Sequence, residues 1–375
     1  MSGLSSDARG SAGVRAARDN AGSAGAPLPF AQRLRPAPLN GGLRDPEWWI
    51  WCGSCARGED GRYHLFASRW PRSYPWFGGY FSRSEVVRAV GDRPEGPFKV
   101  VETVLPSRHP SYWDGRITHN PAVLRWRDRW LLFYIGATYE YPVPQPTDLT
   151  NRNTPDSFAF CTWWRLRIGV AQADRIDGPW TRPDRPTFAP RGMSEVDGFW
   201  DWAVVTNPAP FVGHDGALYM GFRTTPRGQI GIARADGPEG PFVPITNGPI
   251  FDPGWYVEDI CIWWDGERYQ LIGKDNQGGH TGRRHALLHA WSPDLQRWRI
   301  HNEPLVLDRR IAFADGRERV FARAERPQVL IEDGRPTCLY LAVAEGPFDN
   351  EPGTYLQWSG SWNLAVPLMS RSNAR

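Results

Sequence analysis

Residues 113–122, WDGRITHNPA, and residues 200–209, WDWAVVTNPA, share a Trp-Asp pair, five further residues and then Asn-Pro-Ala. Each copy continues with an apolar run, a tight-turn signal and a second apolar run, which predicts an antiparallel hairpin. A third run follows, ending before Gly178-Pro179-Trp180 in one copy and before Gly240-Pro241-Phe242 in the other. The repeated stretch therefore predicts a unit of about four strands.

Three more units follow the same template. One begins at Cys52-Gly53-Ser54, another at Glu258-Asp259, and the last at Glu325-Arg326-Pro327-Gln328. Their spacing of roughly 55 to 85 residues suits one four-stranded blade with its loops. Five such units predict an all-β chain folded as a five-bladed β-propeller, with about four antiparallel strands in each blade.

The rest of the chain sets the domain boundaries. Residues 1–28 are rich in Ala, Gly, Ser and Arg and contain no long apolar stretch, so we expect a disordered tail rather than a signal peptide. Residues 29–375 are expected to form a single propeller domain. No apolar run of about 18 residues occurs, which predicts no membrane span. The five scattered cysteines favour a reducing, cytoplasmic location.

The charge balance limits the partners of the chain. Forty-four basic residues against 41 acidic ones give a net charge of +3. That balance is not typical of a protein that binds nucleic acid. The scattered cysteines and histidines show no set of metal ligands at a usable spacing. We therefore expect no nucleic acid among the partners, and the lack of a long apolar run predicts no membrane among them.

The start of each inner strand is the place to search for chemistry, because in a propeller these starts meet at one mouth of the central channel. The positions that this rule brings together are Asp45, Asn120, Asn207, Glu258 with Asp259, and Glu325 with Arg326. The pairs Trp113-Asp114 and Trp200-Asp201 would overhang the same mouth. Carboxylates and amides bind hydroxyls, and flat aromatic rings cover the apolar faces of a sugar. The pattern predicts a carbohydrate site.

Several of these blade starts resemble those of the five-bladed propeller glycoside hydrolases of families 43 and 32. The segments that carry the resemblance are Arg44-Asp45-Pro46, the two Asn-Pro-Ala copies, Val257-Glu258-Asp259-Ile260 and Ala324-Glu325-Arg326-Pro327-Gln328-Val329. The resemblance implies three acidic residues acting as general base, general acid and a carboxylate that tunes the acid. It also implies arabinose, xylose, galactose or fructose units as substrates, no redox cofactor, and a structural calcium ion as an option in the central channel.

The chain departs from that family pattern at two blades. In the family the acids come from the first three blades, whereas the second and third inner strands here begin with Asn120 and Asn207. One hypothesis is that the roles are rotated around the ring, with acids from the fourth, fifth and first blades. The other is that Asp114 and Asp201 act from the overhanging loops.

Among the acids, Glu258 is the preferred general acid, because its apolar neighbours would desolvate the carboxyl group and raise its pKa. Glu325 is the next candidate. Asp45, Asp259, Asp114 and Asp201 compete between a base or tuning role and the capping of turns. The predicted substrate-binding residues are His119, Asn120, Asn207, Arg326, Trp113, Trp200 and His280.

Three functions are compatible with these residues. The preferred one is a glycoside hydrolase that acts on a terminal sugar through two carboxyl groups. A catalytically silent glycan-binding propeller is the second, favoured by the two asparagines. The third is a glycoside phosphorylase, whose phosphate would need a basic cluster. The candidates for that cluster are Arg116, Arg223, Arg283, Arg284 and Arg326.

Overall fold

The computed structural model describes residues 29–149, 158–192, 200–201, 203–224, 228–252, 256–348 and 357–369. The predicted tail at residues 1–28 lies outside these ranges. No helix in the described ranges is long and apolar enough to cross a membrane.

Five antiparallel sheets form the blades, which confirms the predicted propeller. The first blade contains β1 (Trp48–Arg57), β2 (Tyr63–Pro71), β3 (Glu85–Gly91) and β4 (Lys99–Leu105). The second blade contains β5 (Ile117–Trp126), β6 (Arg129–Ala137) and β7 (Arg167–Ala173). The third blade contains β8 (Val205–Val212), β9 (Leu218–Thr224), β10 (Gln229–Ala235) and β11 (Val243–Pro244).

The fourth and fifth blades complete the ring. The fourth blade contains β12 (Val257–Trp264), β13 (Tyr269–Asp275), β14 (Ala286–Ser292) and β15 (Arg299–Leu307). A small hairpin follows, formed by β16 (Arg310–Ala312) and β17 (Glu318–Val320). The fifth blade contains β18 (Arg323–Glu332), β19 (Arg335–Glu345) and β20 (Gly360–Pro367).

The N-terminal segment closes the ring. Leu34 forms a bridge with Leu368, just beyond the end of β20, and Leu43 forms a bridge with Asn363 within it. The fifth blade thus obtains its outer pairing from residues that precede the first blade in sequence. Isolated bridges, and not a regular strand, thus connect the segment before the first blade to the last strand of the fifth.

Every inner strand carries a bulge at the same place. The pairing of each inner strand with its neighbour shifts register across this bulge. At each bulge one residue has a positive φ, namely Cys52 (59°), Asn120 (52°), Asn207 (53°), Asp259 (54°) and Arg326 (59°). Asn and Asp tolerate this left-handed conformation better than other residues that have a Cβ. Their recurrence at the bulge therefore has a backbone cause as well as a chemical one.

The Trp-Asp pairs stabilise the second and third blades. Trp113 lies against Gly169 of β7, where an added Cβ would come within 2.4 Å of the indole ring. Trp200 lies in the same way against Gly231 of β10, also at 2.4 Å. The repeat that reveals the fold thus encodes a packing contact, in which a tryptophan covers a glycine of the third strand.

Two helical insertions cover part of the top of the ring. Helix α1 (Trp76–Arg83) is inserted between β2 and β3, and helix α2 (Phe158–Trp163) between β6 and β7. The rings of Phe81 and Trp163 lie 6.2 Å apart, so the two helices pack against each other. Both insertions follow strands that end at the mouth of the channel and therefore lie on that side of the propeller.

Candidate active site at the hub

The five bulge residues form a connected ring around the channel. The Cys52 thiol donates to Asn120 Oδ1 at 2.8 Å, Asn120 Nδ2 donates to Asn207 Oδ1 at 2.7 Å, and Asn207 Nδ2 donates to Asp259 Oδ1 at 2.7 Å. Arg326 meets Asp259 Oδ1 from the other side at 2.8 Å. Each blade contributes one side chain, and the hydrogen bonds converge on the Asp259 carboxylate.

Lys274 is the centre of the charged half of the hub. It lies on β13 directly opposite Glu258 of β12 in the strand register. Its ammonium group contacts Glu258 Oε1 at 2.6 Å, Glu325 Oε2 at 2.6 Å and Asp259 Oδ2 at 3.3 Å. The two contacts to the glutamates have hydrogen-bond length, whereas Asp259 Oδ2 has no hydrogen-bond partner among the described residues and is close to the ammonium group only as an ion pair. One lysine therefore holds carboxylates from two adjacent blades.

Glu258 has further partners on its second oxygen. Arg223 Nε lies 2.9 Å from Glu258 Oε2, and the Tyr256 hydroxyl donates to the same oxygen at 3.1 Å. Arg223 also contacts the Tyr256 hydroxyl. Arg223 occupies on β9 the place that Lys274 has on β13, since it pairs with Thr206, the residue before the bulge. The cations that surround Glu258 thus come from the second strands of two blades.

These contacts set the ionisation of the glutamates. Burial alone would raise the pKa of Glu258, but the charges of Lys274, Arg223 and Arg326 outweigh it and hold that pKa well below the usual value for a glutamate. The pKa of Glu325 is lowered as well, because Lys274, Arg323 and Arg326 outweigh its burial. The expectation that apolar neighbours raise the pKa of Glu258 is therefore corrected, since cations and not Val257 or Ile260 decide its sign.

Asp259 differs from the two glutamates. Its side chain is fully buried, and burial together with the charges of Glu258 and Glu325 raises its pKa. The side chains of Glu258 and Glu325 keep 13% and 10% of their surface accessible. Asp259 also lines the cavity at the hub, together with Cys52, Asn120, Asn207 and Arg326.

Helix α1 covers the hub over the first two blades. The residues before the bulges of the first two blades are Trp51 and His119, and both are buried. Trp76 of α1 lies edge-on against Trp51, with the ring centroids 4.9 Å apart. Tyr80 of α1 covers His119 at 3.9 Å. Helix α1 thus packs over the side of the hub that the first two blades form.

The structure places Asp45 outside the hub. Its carboxylate accepts the backbone N–H of Glu47 at 2.9 Å and caps the turn that leads into β1. The equivalent hub position of the first blade is Cys52, where burial raises the thiol pKa to about 12. The predicted position of Asp45 in the pocket is thus corrected: an aspartate before a strand often caps the turn.

Asp114 and Asp201 also lie away from the mouth. Asp114 is fully buried and paired with Arg108 and Arg182, each at 2.6 Å, and it accepts a hydrogen bond from Tyr134. Asp201 is buried and paired with Arg191 at 2.6 Å. The prediction that these pairs overhang the pocket is wrong, because their tryptophans and aspartates anchor the loops onto the sheets. Trp113 and Trp200 accordingly do not reach the hub.

The two histidines occupy different surroundings. His119 is buried, with Nδ1 2.7 Å from Ser84 Oγ, and burial holds its pKa well below the usual value. It supports the hub from behind and is not open to a ligand. His280 is half-buried in the loop after β13, where Asp275 accepts several backbone N–H groups, including that of His280. Its ring lies 6.4 Å from Phe251, at the side of the mouth.

Sequence reasoning missed Lys274, Tyr256 and Cys52 as parts of the hub and considered Arg223 only as a phosphate ligand. One signal for Lys274 was available. It is one of two lysines in a chain with 44 basic residues, and it interrupts the apolar strand YQLIGKD. A cation in the middle of a buried strand needs carboxylate partners.

The hub residues do not fit the calcium ion that the family resemblance allows. Arg326 brings a guanidinium into the ring, and the oxygens of Asn120 and Asn207 already accept hydrogen bonds from within it. The described residues contain no group of three or more His, Cys, Asp or Glu side chains able to hold a metal ion. An arginine supplies the positive charge that a cation would bring to this channel.

No protein-family model matches the chain, and no curated protein sequence matches it either. Solved structures with the same fold do match the chain. The structure of Zg3597, a family 117 glycoside hydrolase of the marine bacterium Zobellia galactanivorans, has a TM-score of 0.59 at 16% identity, covering 90% of this chain and 88% of that one.

Two further structures are similar over most of their length. A thermostable family-43 glycoside hydrolase has a TM-score of 0.54 at 13% identity, covering 92% of this chain and 94% of that one. The GH43_1 enzyme from Xanthomonas citri in complex with xylotriose has a TM-score of 0.54 at 14% identity, with the same coverage of 92% and 94%. This chain has the fold of the five-bladed propeller glycoside hydrolases.

Proposed function

We propose that the chain is a glycoside hydrolase in which Glu258 and Glu325 are the reacting carboxyl groups. The observation that carries this proposal is that two partly exposed glutamates from adjacent blades bind the same Lys274 ammonium, each at 2.6 Å. Glu258 Oε1 and Glu325 Oε2, the two oxygens that contact this ammonium group, can be no farther apart than twice that distance. This limit favours the retaining geometry, with carboxyl groups roughly 5–5.5 Å apart, over the wider inverting one.

The surroundings of the two glutamates suggest their roles. Glu258 has the more strongly lowered pKa and carries three donors, so it is the ionised group that attacks the anomeric carbon. Glu325 then gives its proton to the leaving oxygen. In the second half of the reaction, Glu325 takes a proton from water as that water displaces Glu258 from the sugar. Glu325 is therefore the general acid in this proposal, whereas the sequence favoured Glu258 for that role.

The lowered pKa of Glu325 has a consequence for pH dependence. Its carboxyl group must be protonated to act as the acid, while Glu258 must stay ionised. We therefore expect kcat/KM to rise as the pH falls from neutrality toward the lowered pKa of Glu325, and to fall again where Glu258 becomes protonated. Both limbs lie on the acidic side, because Lys274 lowers the pKa of both groups.

A silent glycan-binding propeller is the second candidate, and one observation favours it. Both glutamates are ion-paired, so neither is poised as an acid at neutral pH. A phosphorylase has less support, because Arg223, Arg326 and Arg283 are paired with Glu258, Asp259 and Asp308, respectively. Phosphate would have to displace carboxylates from these cations.

The test is a panel of aryl furanosides and pyranosides of arabinose, xylose, galactose and fructose, assayed from acidic to neutral pH with and without phosphate. We expect turnover without phosphate, reduced about 10²–10⁴-fold in Glu258→Gln and Glu325→Gln. Glu332→Gln is the matched control, since Glu332 accepts hydrogen bonds from Tyr63 and Thr337 far from the hub, and it should keep activity. Sugar binding by wild type without turnover would establish the silent propeller, and strict dependence on phosphate the phosphorylase.

A further inference from the structure

The exposed aromatic side chains of the described residues are confined to one corner of the mouth. Tyr112, Tyr141 and Trp164 are exposed by 37%, 41% and 37%, and no other Phe, Tyr or Trp whose side chain is described is exposed. All three belong to the second blade or its insertion. Single exposed apolar residues are ordinary, but a concentration of aromatic ones beside a pocket marks a binding surface.

Backbone and side-chain contacts hold this corner together. Thr138 Oγ1 donates to the carbonyl of Pro110, which ties the end of β6 to the loop that carries Tyr112. Tyr141 stacks on Tyr139 with the ring centroids 4.8 Å apart, and its ring lies 5.8 Å from Phe158 of α2. The three exposed rings are therefore presented by one connected frame.

The corner is continuous with the candidate active site through the end of α2. The guanidinium of Arg223, which pairs with Glu258, lies 5.1 Å from the ring of Trp163. The next residue, Trp164, is exposed. Two consecutive tryptophans thus lead from the reacting carboxylates to the outer corner.

Arginines add hydrogen-bond donors to the same surface. Arg116 donates to the carbonyls of Tyr139 and Tyr141, and Arg165 donates to the carbonyl of Thr138. Arg165 is exposed and Arg116 is half-buried, so both retain N–H groups for a ligand. Aromatic faces with adjacent guanidinium donors suit sugar rings, whose C–H faces stack while their hydroxyls accept hydrogen bonds.

We propose that Tyr112, Tyr141 and Trp164 form a platform that binds the outer sugars of an oligosaccharide whose reacting sugar lies at the hub. The inference rests on the proposed function for the place of the reacting sugar, and it defines the substrate class as a chain of several sugar rings. An aryl glycoside would occupy only the hub, so its KM would not depend on the platform residues.

The test measures binding rather than turnover. Equilibrium affinities are determined for the arabinose and xylose oligosaccharide series from one to five residues, with every protein in the slowly reacting Glu258→Gln background so that the ligand is not consumed. We expect affinity to rise with length, and the double variant Tyr141→Ala/Trp164→Ala to lose about tenfold or more for the longer members while keeping its affinity for the monosaccharide. Trp291→Ala is the control, because Trp291 is half-buried between Arg268 and Arg299, away from this corner.

Each outcome decides the proposal. An affinity that does not change with length in both series, or a length dependence that survives the double variant, overturns the platform. So does an equal loss in Trp291→Ala. If binding is length-dependent and sensitive to the double variant but no member is hydrolysed by wild type, the platform stands and the hydrolase fails. If aryl glycosides are hydrolysed and longer chains bind no better, the hydrolase stands and the platform fails.

Discussion

The hub has two halves that share one backbone and differ in chemistry. In the first three blades the bulge and the residue before it are Trp51-Cys52, His119-Asn120 and Thr206-Asn207, none of them charged at neutral pH. In the last two blades they are Glu258-Asp259 and Glu325-Arg326. The positive φ values of all five bulges agree within a few degrees. The fold therefore supplies five equivalent positions, and the side chains decide which of them can react.

The second strands and the cover also differ between the blades. The second strands divide the hub at a different boundary: Arg223 and Lys274 stand beside the bulges of the third and fourth blades, whereas the matching places in the first, second and fifth blades hold Ser68, Ile135 and Ala342. The helix α1 covers the uncharged half. A buried charged cluster is stable only when its members are mutually paired, so the accessible half is also the half that depends most on each partner.

The largest effect is expected from Lys274→Met, which breaks the charged half at its centre. Removing one cation leaves two glutamates and Asp259 facing one another, so the free energy of unfolding at neutral pH should fall by about 3–5 kcal/mol. The loss should shrink at acidic pH, where the glutamates accept protons. Chemical denaturation at both pH values measures it.

Lys99→Met provides the matched control for that experiment. Lys99 is the other lysine of the chain, and it is exposed at the start of β4. Its replacement should change stability by less than about 0.5 kcal/mol. Equal losses in the two variants would show that Lys274 is not the element that holds the glutamates together.

The next effect comes from making the uncharged half acidic with Asn207→Asp. Asn207 Nδ2 donates to Asp259 Oδ1 at 2.7 Å, and an aspartate would replace this donor with a second carboxylate. We expect a loss of about 2–3 kcal/mol at neutral pH that diminishes as the new carboxyl group is protonated. Thermal unfolding across pH tests this, with Asn302→Asp at an exposed position of β15 as control. A loss that does not depend on pH would contradict the electrostatic explanation.

A smaller effect concerns the packing that distinguishes the second and third blades. Gly169→Ala would place a methyl group 2.4 Å from the ring of Trp113, so the indole must move and stability should fall by about 2 kcal/mol. Gly248→Ala is the control, since nothing lies within 4 Å of its added Cβ. Denaturant midpoints compare the two. Unchanged stability in Gly169→Ala would mean that Trp113 does not anchor the blade.

The repeat made most of the fold predictable and part of the site. The bulge requires a left-handed residue, Asn and Asp meet that requirement well, and the recurrence of Asn before Pro-Ala located the second and third hub positions. In the first blade the bulge residue is Cys52, and a cysteine gives no indication of a left-handed conformation in the sequence. The motif Asp45-Pro46 suggested a hub position but lies in a turn.

The chemistry of the hub was harder to predict because it depends on contacts between strands. Lys274 and Arg223 approach Glu258 from the second strands of two blades, and no motif on the inner strands predicts these contacts. Apolar neighbours in sequence suggested a raised pKa for Glu258, whereas cations in space lower it. The sign of a pKa shift follows from the nearest charges, which sequence adjacency does not give.

The last effect is pH-dependent and belongs to the fourth blade, where His285 precedes β14 and His289 lies on it. Burial lowers the pKa of His289 to about 3 and that of His285 to about 4, so both stay neutral when folded but bind protons when unfolded below about 6.5. The free energy of unfolding should thus fall by about 1.4 kcal/mol per pH unit for each histidine as the pH drops from about 6.5.

Glu258 and Glu325 behave differently, since carboxyl groups with lowered pKa values lose their stabilisation only below the usual glutamate value of 4.5. His289→Gln should therefore make the stability profile about half as steep above about pH 4.5, where His285 still contributes, and leave the decline below that pH, whereas Lys274→Met should reduce the decline below it. A His289→Gln profile that matches wild type over the upper window would show that burial of this imidazole does not oppose its protonation.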